Sequence, residues 1–262
     1  MMTSRVQPAL AANVVWIGNV DSTNDLAARL VASWAEDEDD RLGDTLFVAG
    51  CQTAGRGRSG HSWVSPAGGC YATWLGWVTS SELGWLPLAA GVCLAAAVEA
   101  ALPGIAVGLK WPNDLLVAGR KLGGVLCQSR SRGESAWAAV GVGVNVGSTP
   151  VTPSGTSFPA TSLRELGLVG DADASIWAVA GGFARRLRPA LADPAALVTG
   201  WLARAVHRHG DPLRVRKGDE VLIGTYAGMG DDGQLAVEVA GTIRRIAAGE
   251  LIDALPGAGA EG

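Results

Sequence analysis

The segment Lys110-Trp111-Pro112-Asn113-Asp114 places a cation, an amide and a carboxylate close together in the chain. Phosphate chemistry uses these groups, because a lysine ammonium neutralises a phosphate and an Asp or Asn oxygen can bind magnesium. Lys121 follows, beside Gly123 and Gly124, whose lack of side chains lets the backbone approach a ligand closely. The same residues also fit a β-hairpin with a solvated lysine at its turn. The segment therefore predicts a phosphate-handling site, with an ordinary hairpin as the alternative.

A second candidate is Gly55-Arg56-Gly57-Arg58-Ser59-Gly60, which formally matches the G-x-G-x-x-G fingerprint of dinucleotide-binding proteins. That fingerprint must open directly into a helix, whereas Ser65-Pro66 and Gly68-Gly69 follow here and resist helix formation. Two arginines among glycines are instead typical of a loop that folds over an anion, with backbone N–H and guanidinium groups as donors. A plain surface loop is the alternative.

The run Gly141-Val142-Gly143-Val144-Asn145 is too apolar and β-branched for a flexible phosphate loop. It predicts a buried strand whose glycines leave room for something lying against it. Asn145 could hydrogen-bond a ligand or merely end the strand. A G-x-x-x-x-G-K-S/T motif does not occur in the sequence, which excludes a P-loop nucleotide-binding protein.

Alternating strand and helix patterns supply the elements that position these motifs. A strand at residues 14–17 leads into an amphipathic helix, which should begin near Ser22 or Thr23 because Ser22 and Asp25 have the spacing of a capping box. Further strands are predicted at 45–49, 71–78, 105–110, 115–117, 124–128 and 136–146, and helices at 86–102, 175–191 and 194–206. The pattern predicts a mixed α/β domain over residues 1–211.

A small C-terminal unit is predicted over residues 212–262. Gly210-Asp211-Pro212 breaks the helical periodicity, and short strand patterns follow at 213–216, 220–227, 235–239 and 242–246. These patterns are typical of a small β-barrel. A unit of about 50 residues has a marginal core by itself, so we expect it to pack on the main domain.

Composition limits the classes of function and location. A net charge of −4 and a pI near 5.4 oppose a surface that attracts nucleic acid or anionic lipid as a whole. The apolar run 86–102 carries Glu99 and is mostly alanine, so it falls short of the ~20 strongly apolar residues of a membrane span. Asn13 interrupts the N-terminal apolar run, which makes a poor secretory signal. We therefore expect a cytoplasmic protein that does not enter the membrane.

Taken in order, five segments resemble the signature of biotin protein ligases, although none is specific by itself. They are Ser22-Thr23-Asn24, residues 52–58, residues 110–114, Arg120-Lys121-Leu122-Gly123-Gly124 and residues 141–145. The resemblance is strong over residues 14–147. The barrel-like end, which is similar to the SH3-like C-terminal domain of that family, extends it to nearly the whole chain.

The resemblance implies a catalytic domain related to class II aminoacyl-tRNA synthetases and a two-step ligase reaction. Biotin and MgATP give biotinyl-5′-AMP and pyrophosphate, and a lysine of a biotin carboxyl carrier protein then attacks the mixed anhydride. The implied cofactors are therefore ATP and Mg²⁺, biotin is a substrate, and the carrier is the protein partner. A homodimer is compatible with the sequence but does not follow from it.

Residue roles follow from the match to the family's motifs. The biotin-binding set is Ser22, Thr23, Asn24, Gln52, Gly55, Arg56, Gly57, Arg58, Lys121, Gly123 and Gly143. The nucleotide-binding set is Arg56, Arg58, Trp63, Lys110, Asn113, Lys121 and Asn145, with Trp63 packed on adenine. The catalytic set is Lys121, Arg58 and Asp114. The sequence does not decide whether Asp114 is a magnesium ligand or the group that receives the proton of the acceptor lysine.

The sequence departs from the family pattern at two points, and two other functions are possible alternatives. Only 21 residues precede Ser22, too few for the DNA-binding winged helix of many bacterial members, so we expect an enzyme that binds no DNA. Gly123-Gly124 stands where the family has Ala-Gly, which is a mild change. A lipoate protein ligase shares the fold and the adenylation chemistry but should lack the arginine loop followed by Trp63. A non-catalytic vitamin-binding protein would have little use for Lys110 and Lys121.

Overall fold

The computed structural model describes residues 13–34, 43–151 and 158–252. Its main sheet contains β1 (Asn13–Val20), β2 (Thr45–Gln52), β3 (Cys70–Thr79), β4 (Gly108–Lys110), β5 (Asp114–Val117), β6 (Arg120–Arg132) and β7 (Ser135–Val144). The strand order is β1-β2-β3-β7-β6-β5-β4. The β1–β2 pair is parallel and the other neighbours are antiparallel, so the predicted mixed sheet is confirmed.

Helices cover both faces of this sheet. They are α1 (Thr23–Trp34), α2 (Ser80–Leu83), α3 (Leu86–Ala101), α4 (Ala172–Leu191) and α5 (Pro194–Leu202). On one face, α1 packs through Ala27 and Val31 against Phe47 and Leu75 of the sheet. The other face lies under α3, whose residues are apolar apart from Glu99 and which also packs against α4. Across the described ranges, no helix is long and apolar enough to cross a membrane.

The predicted start of α1 is confirmed, because a local signal determines it. The Ser22 hydroxyl accepts a hydrogen bond from the Asp25 backbone N–H at 3.3 Å, which satisfies a donor that the first helical turn leaves free. The predicted end of α5 is wrong by several residues. Ala205 forms a bridge with Leu109, and the Val206 N–H donates to the Leu109 carbonyl at 3.1 Å, so tertiary pairing with β4 replaces the last helical turn.

A second sheet follows residue 211. It contains β8 (Pro212–Lys217), β9 (Glu220–Met229), β10 (Leu235–Val239), β11 (Thr242–Ile246) and β12 (Glu250–Leu251), in the antiparallel order β11-β10-β9-β8-β12. The first four strands were predicted and β12 was not. Within the described part of the chain the sheet is open rather than closed into a barrel. Its edge strand β12 has two residues and offers few backbone groups for closure.

The second sheet packs on the main body through a continuous apolar core. Leu213, Val215, Tyr226 and Val237 belong to the same buried cluster as the residues between the main sheet and α3. A Cβ atom at Gly249 would lie 3.4 Å from the Trp111 ring, so the two parts are in close contact there. The small unit therefore obtains from the main body the burial that its own size does not supply.

His207 lies in this junction and should make stability depend on pH. It is 6% exposed, and neither ring nitrogen has a hydrogen-bond partner among the residues described. Burial, together with nearby Lys110, lowers the His207 pKa below its ordinary value of 6.5, against an opposing effect of Asp211. The unfolded chain therefore takes up a proton more readily, and we expect the free energy of unfolding to fall as pH drops below about 6.5.

Urea unfolding at about pH 7.5 and pH 5.5 tests this expectation. His207→Gln should lose less stability between the two pH values than the parent, whereas His209→Gln, at an exposed position, should lose as much as the parent. An unchanged pH dependence in His207→Gln would contradict the assignment.

Candidate functional site

A cleft opens on the α1 side of the main sheet, where the start of α1 meets the loop before β3, the turn between β4 and β5, and strands β6 and β7. Most of the predicted site residues line it. They are Ser22, Thr23, Asn24, Gln52, Arg56, Gly57, Arg58, Trp63, Lys110, Asn113, Asp114, Lys121 and Gly143. Motifs that are far apart in the sequence therefore meet in one place.

Three predicted site residues, Gly55, Gly123 and Asn145, are not among those that line the cleft. A Cβ atom at Gly55 would lie 2.6 Å from Ser65 Oγ, and one at Gly123 would lie 2.6 Å from the Gly143 carbonyl oxygen. Asn145 is 2% exposed, and its side-chain amide donates to the Thr161 carbonyl at 2.8 Å. The two glycines leave room for these neighbouring atoms, and the Asn145 hydrogen bond holds the chain after β7 against the Thr161 segment.

Hydroxyl and amide groups form a hydrogen-bonded cluster at the N-terminus of α1. The Thr23 backbone N–H donates to Gln52 Oε1 at 2.9 Å, and Gln52 Nε2 donates to Ser65 Oγ at 2.8 Å. Asn24 Nδ2 donates to the Leu126 carbonyl at 3.1 Å. Because these side chains are already held by one another, a polar ligand meets donors and acceptors in fixed positions.

The glycines of β7 let other side chains lie flat against the strand, as the sequence predicted. A Cβ atom at Gly141 would overlap Asn24 Oδ1, and one at Gly143 would lie 2.6 Å from Trp63 Nε1. Trp63 Nε1 is buried without a hydrogen-bond partner in the described structure. Asn24 and Trp63 therefore form the floor of the cleft on this side.

Two lysines share one carboxylate at the opposite wall. Lys110, which is 6% exposed, has its Nζ 3.8 Å from Asp114 Oδ2, and Lys121 Nζ lies 2.7 Å from Asp114 Oδ1. Burial lowers the Lys110 pKa, while Asp114 raises it. Lys121 Nζ also lies 5.6 Å from the Trp63 ring, close enough for a cation–π contact.

Arg58 adds a third cation. It lies in a short 3₁₀ turn over residues 58–60, and nothing in the described part of the chain forms a hydrogen bond or an ion pair with its guanidinium. Burial lowers the Arg58 pKa, and Cys127, Asp114 and Glu250 act in the opposite direction. Arg56 instead pairs with Asp25 at 2.6 Å. The cations exceed the carboxylates in the cleft, so its chemistry suits an anion.

Sequence reasoning missed two parts of the site. Glu250 of β12 lines the cleft, and its Oε1 lies 4.0 Å from His61 Nε2 of the arginine loop. No spacing in the sequence connects these residues. Thr73 of β3 lies beneath the cluster at the start of α1, and its only signal was a hydroxyl within an apolar strand.

Asp114 does not fit a metal ion held by the protein alone. Both of its oxygens face lysine ammonium groups, which a cation there would have to displace. The residues described contain no group of three or more His, Cys, Asp or Glu that could hold a metal ion. Magnesium commonly binds through one or two carboxylates together with substrate phosphates. Any magnesium here must therefore obtain most of its ligands from a bound phosphate compound and from water.

Asp114→Asn should destabilise the protein, because Lys110 would then be buried beside Lys121 without a counter-charge. Removing one partner of a buried ion pair costs about 3–5 kcal/mol, so we expect a loss of about 2–4 kcal/mol for this partly open pair. Pyrophosphate should stabilise the variant more than the parent. Denaturant unfolding with and without pyrophosphate measures both effects.

Asp25→Asn is the control, because it breaks a pair with an exposed arginine and should cost less than about 1 kcal/mol. Equal stability of Asp114→Asn and the parent, with equal stabilisation by pyrophosphate, would show that Asp114 does not balance the lysines.

Comparisons with known proteins agree with this geometry. Residues 20–145 match the model of the biotin/lipoate A/B protein ligase family. The biotin–acetyl-CoA-carboxylase ligase of Paracoccus denitrificans is 32% identical over 230 residues, covering 84% of this chain and 91% of the relative. The ligase of that name from Mycobacterium tuberculosis is 33% identical over 251 residues, covering 90% and 87%. The structure of biotin protein ligase from Aquifex aeolicus in complex with biotin and ATP has a TM-score of 0.70 at 27% identity, covering 91% of this chain and 97% of that chain.

Proposed function

This chain belongs to the biotin/lipoate protein ligase family, and from that premise we propose that it is an ATP-dependent biotin protein ligase. It joins biotin to AMP from MgATP and then passes the biotinyl group to a lysine of a biotin carboxyl carrier protein. The observation that carries the proposal is the cleft itself, in which a cluster of hydroxyls and amides lies next to a group of cations.

The cluster at the start of α1 suits the head of biotin. A ureido ring has one strong acceptor and two N–H donors, which small hydroxyls and amides can satisfy. Ser22, Thr23, Asn24 and Gln52 supply such groups at a helix N-terminus, already ordered by their own hydrogen bonds. Polar recognition in a preformed site discriminates against ligands that lack the matching groups.

The cations suit formation of the adenylate. A carboxylate oxygen of biotin attacks the α-phosphorus of ATP, and the bond from that phosphorus to the bridging oxygen breaks as pyrophosphate leaves. Two anions must meet, so Lys110, Lys121 and Arg58 offset their repulsion and stabilise charge on the leaving group. No nucleophile from the protein is needed. Trp63 lines the cleft as a partner for adenine.

In the second step the neutral amine of the carrier lysine attacks the carbonyl carbon of the anhydride, the bond to the AMP oxygen breaks so that AMP leaves, and the amine proton passes to solvent. We assign Asp114 to the positioning of Lys110 and Lys121, since both of its oxygens are engaged with them and poorly placed to receive the proton. Magnesium, which the reaction uses with ATP, neutralises phosphate charge when it is bound.

We further propose that residues 1–211 are a catalytic domain related to class II aminoacyl-tRNA synthetases and that residues 212–262 are an SH3-like domain. The antiparallel sheet beginning at Pro212 supports this division, and Glu250 gives that domain a part in the cleft. A requirement for ATP and four cysteines with free thiols favour a cytoplasmic location.

Transfer to a carrier tests the complete reaction. The protein is incubated with biotin, MgATP and a purified biotin carboxyl carrier domain, and the intact mass of the carrier is measured. We expect one biotinyl group on the carrier and none on a control carrier whose acceptor lysine is replaced by arginine. An unmodified carrier, with lipoylation of a lipoyl domain under the same conditions, would favour the lipoate ligase instead.

A further inference from the structure

We propose that Thr73 is a positioning residue for biotin recognition, whose buried hydroxyl faces Asn24 and Thr23 as a donor and holds them where Thr23 accepts a hydrogen bond from an N–H group of the ligand. The inference rests on the proposed function and deepens it. It names the group of biotin that the cleft recognises, a ureido N–H, and the residue that positions its partner in the protein. Thr73 is fully buried and does not line the cleft, so it acts only through its neighbours.

The donor and acceptor of each hydrogen bond in this cluster can be assigned, starting from the Leu126 carbonyl in β6. The Leu126 carbonyl can only accept, so the Asn24 atom 3.1 Å from it is the amide nitrogen Nδ2. Asn24 Nδ2 also lies 3.0 Å from Gln128 Oε1. The other end of the amide, Asn24 Oδ1, therefore faces Thr73 Oγ1, which lies 2.6 Å away.

The direction continues from Thr73 to Thr23. Asn24 Oδ1 can only accept, so the Thr73 hydroxyl donates to it. The same hydroxyl also faces Thr23 Oγ1 as a donor at 2.8 Å, so its one proton is shared between the two contacts. The Thr23 proton lies on the contact with Gln52 Oε1 at 3.1 Å. The Thr23 hydroxyl then has only lone pairs left to offer to a ligand in the cleft.

Gln52 completes this direction. Its Oε1 has two lone pairs and accepts both the Thr23 backbone N–H at 2.9 Å and the Thr23 hydroxyl at 3.1 Å. Three oxygen–oxygen contacts thus share two hydroxyl protons, and the two shorter contacts are those made by Thr73. The cluster lacks one donor, and a ureido N–H of biotin supplies a donor of the right kind.

The sheet holds every member of this chain of hydrogen bonds in place. Thr73 of β3 pairs with Gly141 of β7, and a Cβ atom at Gly141 would overlap Asn24 Oδ1. Leu126 pairs with Gly141 from the other side. Three adjacent strands therefore fix the orientation of Asn24, and through Thr73 they fix the hydroxyl of Thr23.

Thr73→Val tests the proposal, because valine keeps the shape of threonine and removes the hydroxyl. It removes the donor that faces Asn24 Oδ1 and Thr23 Oγ1, so both side chains lose a contact that holds them in position. We expect the Kd and KM for biotin to rise by about 10- to 100-fold, while the KM for ATP and kcat at saturating biotin stay within about twofold. Thr73→Ser, which restores the hydroxyl, should recover most of the affinity.

Thr45→Val is the matched control. Thr45 is also a buried strand threonine, 7% exposed, and its hydroxyl donates to the Gly43 carbonyl outside the cleft. That variant should keep the parent KM for biotin. If Thr73→Val does not fold, Thr73→Ala replaces it in the same comparison.

Biotin methylated at one or the other ureido nitrogen provides a readout that a purely structural role of Thr73 would not change. For one of the two isomers the loss of affinity caused by methylation should be clearly smaller in Thr73→Val than in the parent, because the lost N–H bond was already weakened. Equal losses in both proteins for both isomers would overturn the proposal.

A parent-like Kd for biotin in Thr73→Val would also overturn the proposal, as would a fall in kcat and a rise in the KM for ATP that match the change for biotin. Failure of the proposed function looks different, since the parent itself would then form no biotinyl-adenylate. Calorimetric binding of biotin to parent and variants still decides the role of Thr73 in that case.

Discussion

Replacing Lys121 with alanine should slow formation of biotinyl-adenylate by about 100-fold or more in single-turnover measurements. Lys121 lines the cleft with its ammonium 2.7 Å from Asp114 and 5.6 Å from the Trp63 ring, where the reacting carboxylate and phosphate are expected. Its positive charge stabilises the transition state, in which the two anions meet, more than it stabilises the bound substrates. Folding should change little, because the side chain is not a core residue and Asp114 keeps Lys110 as a partner.

Lys217→Ala is the control, because that lysine is exposed at the end of β8 and lies outside the cleft. It should form adenylate at the parent rate. If Lys121→Ala also did so while remaining folded, the catalytic assignment of Lys121 would be wrong.

Replacing Arg58 with glycine should release the intermediate rather than abolish its synthesis. Arg58 has no ion pair or hydrogen bond in the described structure and lies half-buried at the cleft, so its donors are available to the adenylate. A charge-assisted hydrogen bond contributes about 1.5–3 kcal/mol, which corresponds to a roughly 10- to 100-fold weaker hold on biotinyl-AMP. The escaped mixed anhydride should then acylate lysines of bystander proteins.

The measurement compares biotin labelling of an unrelated lysine-rich protein by Arg58→Gly and by the parent, with biotin and MgATP present. Arg208→Gly, at an exposed position outside the cleft, is the control and should label no more than the parent. Equal labelling by Arg58→Gly and the parent, with equal retention of the adenylate, would show that Arg58 does not hold the intermediate.

Local signals predicted most of the fold, and the departures come from tertiary contacts. The start of α1 follows from Ser22 and Asp25, which interact within one helical turn. β6 extends well beyond its predicted residues because pairing with β7 continues to Arg132, although Ser129 and Arg130 interrupt the apolar pattern. The sequence pattern of one β-strand does not show which strand pairs with it or how far the pairing extends.

The sequence motifs predicted the site residues that are contiguous in the chain, but not those contributed singly by other elements. Lys110, Asp114 and Lys121 belong to adjoining motifs and meet in the cleft. Glu250 comes from the second sheet, and Thr73 is one hydroxyl in an apolar strand. Neither has a periodicity or spacing that marks it, because each acts through a contact between residues far apart in the sequence.

Adenylate formation from biotin is the measurement that tests the central proposal most directly. The purified protein is incubated with ATP labelled at the α-phosphate, Mg²⁺ and an equal mixture of biotin and lipoate, and the labelled products are separated. We predict labelled biotinyl-AMP together with release of pyrophosphate, and little lipoyl-AMP. Preferential formation of lipoyl-AMP, or no adenylate at all with biotin bound, would contradict the assignment of this cleft to biotin ligation.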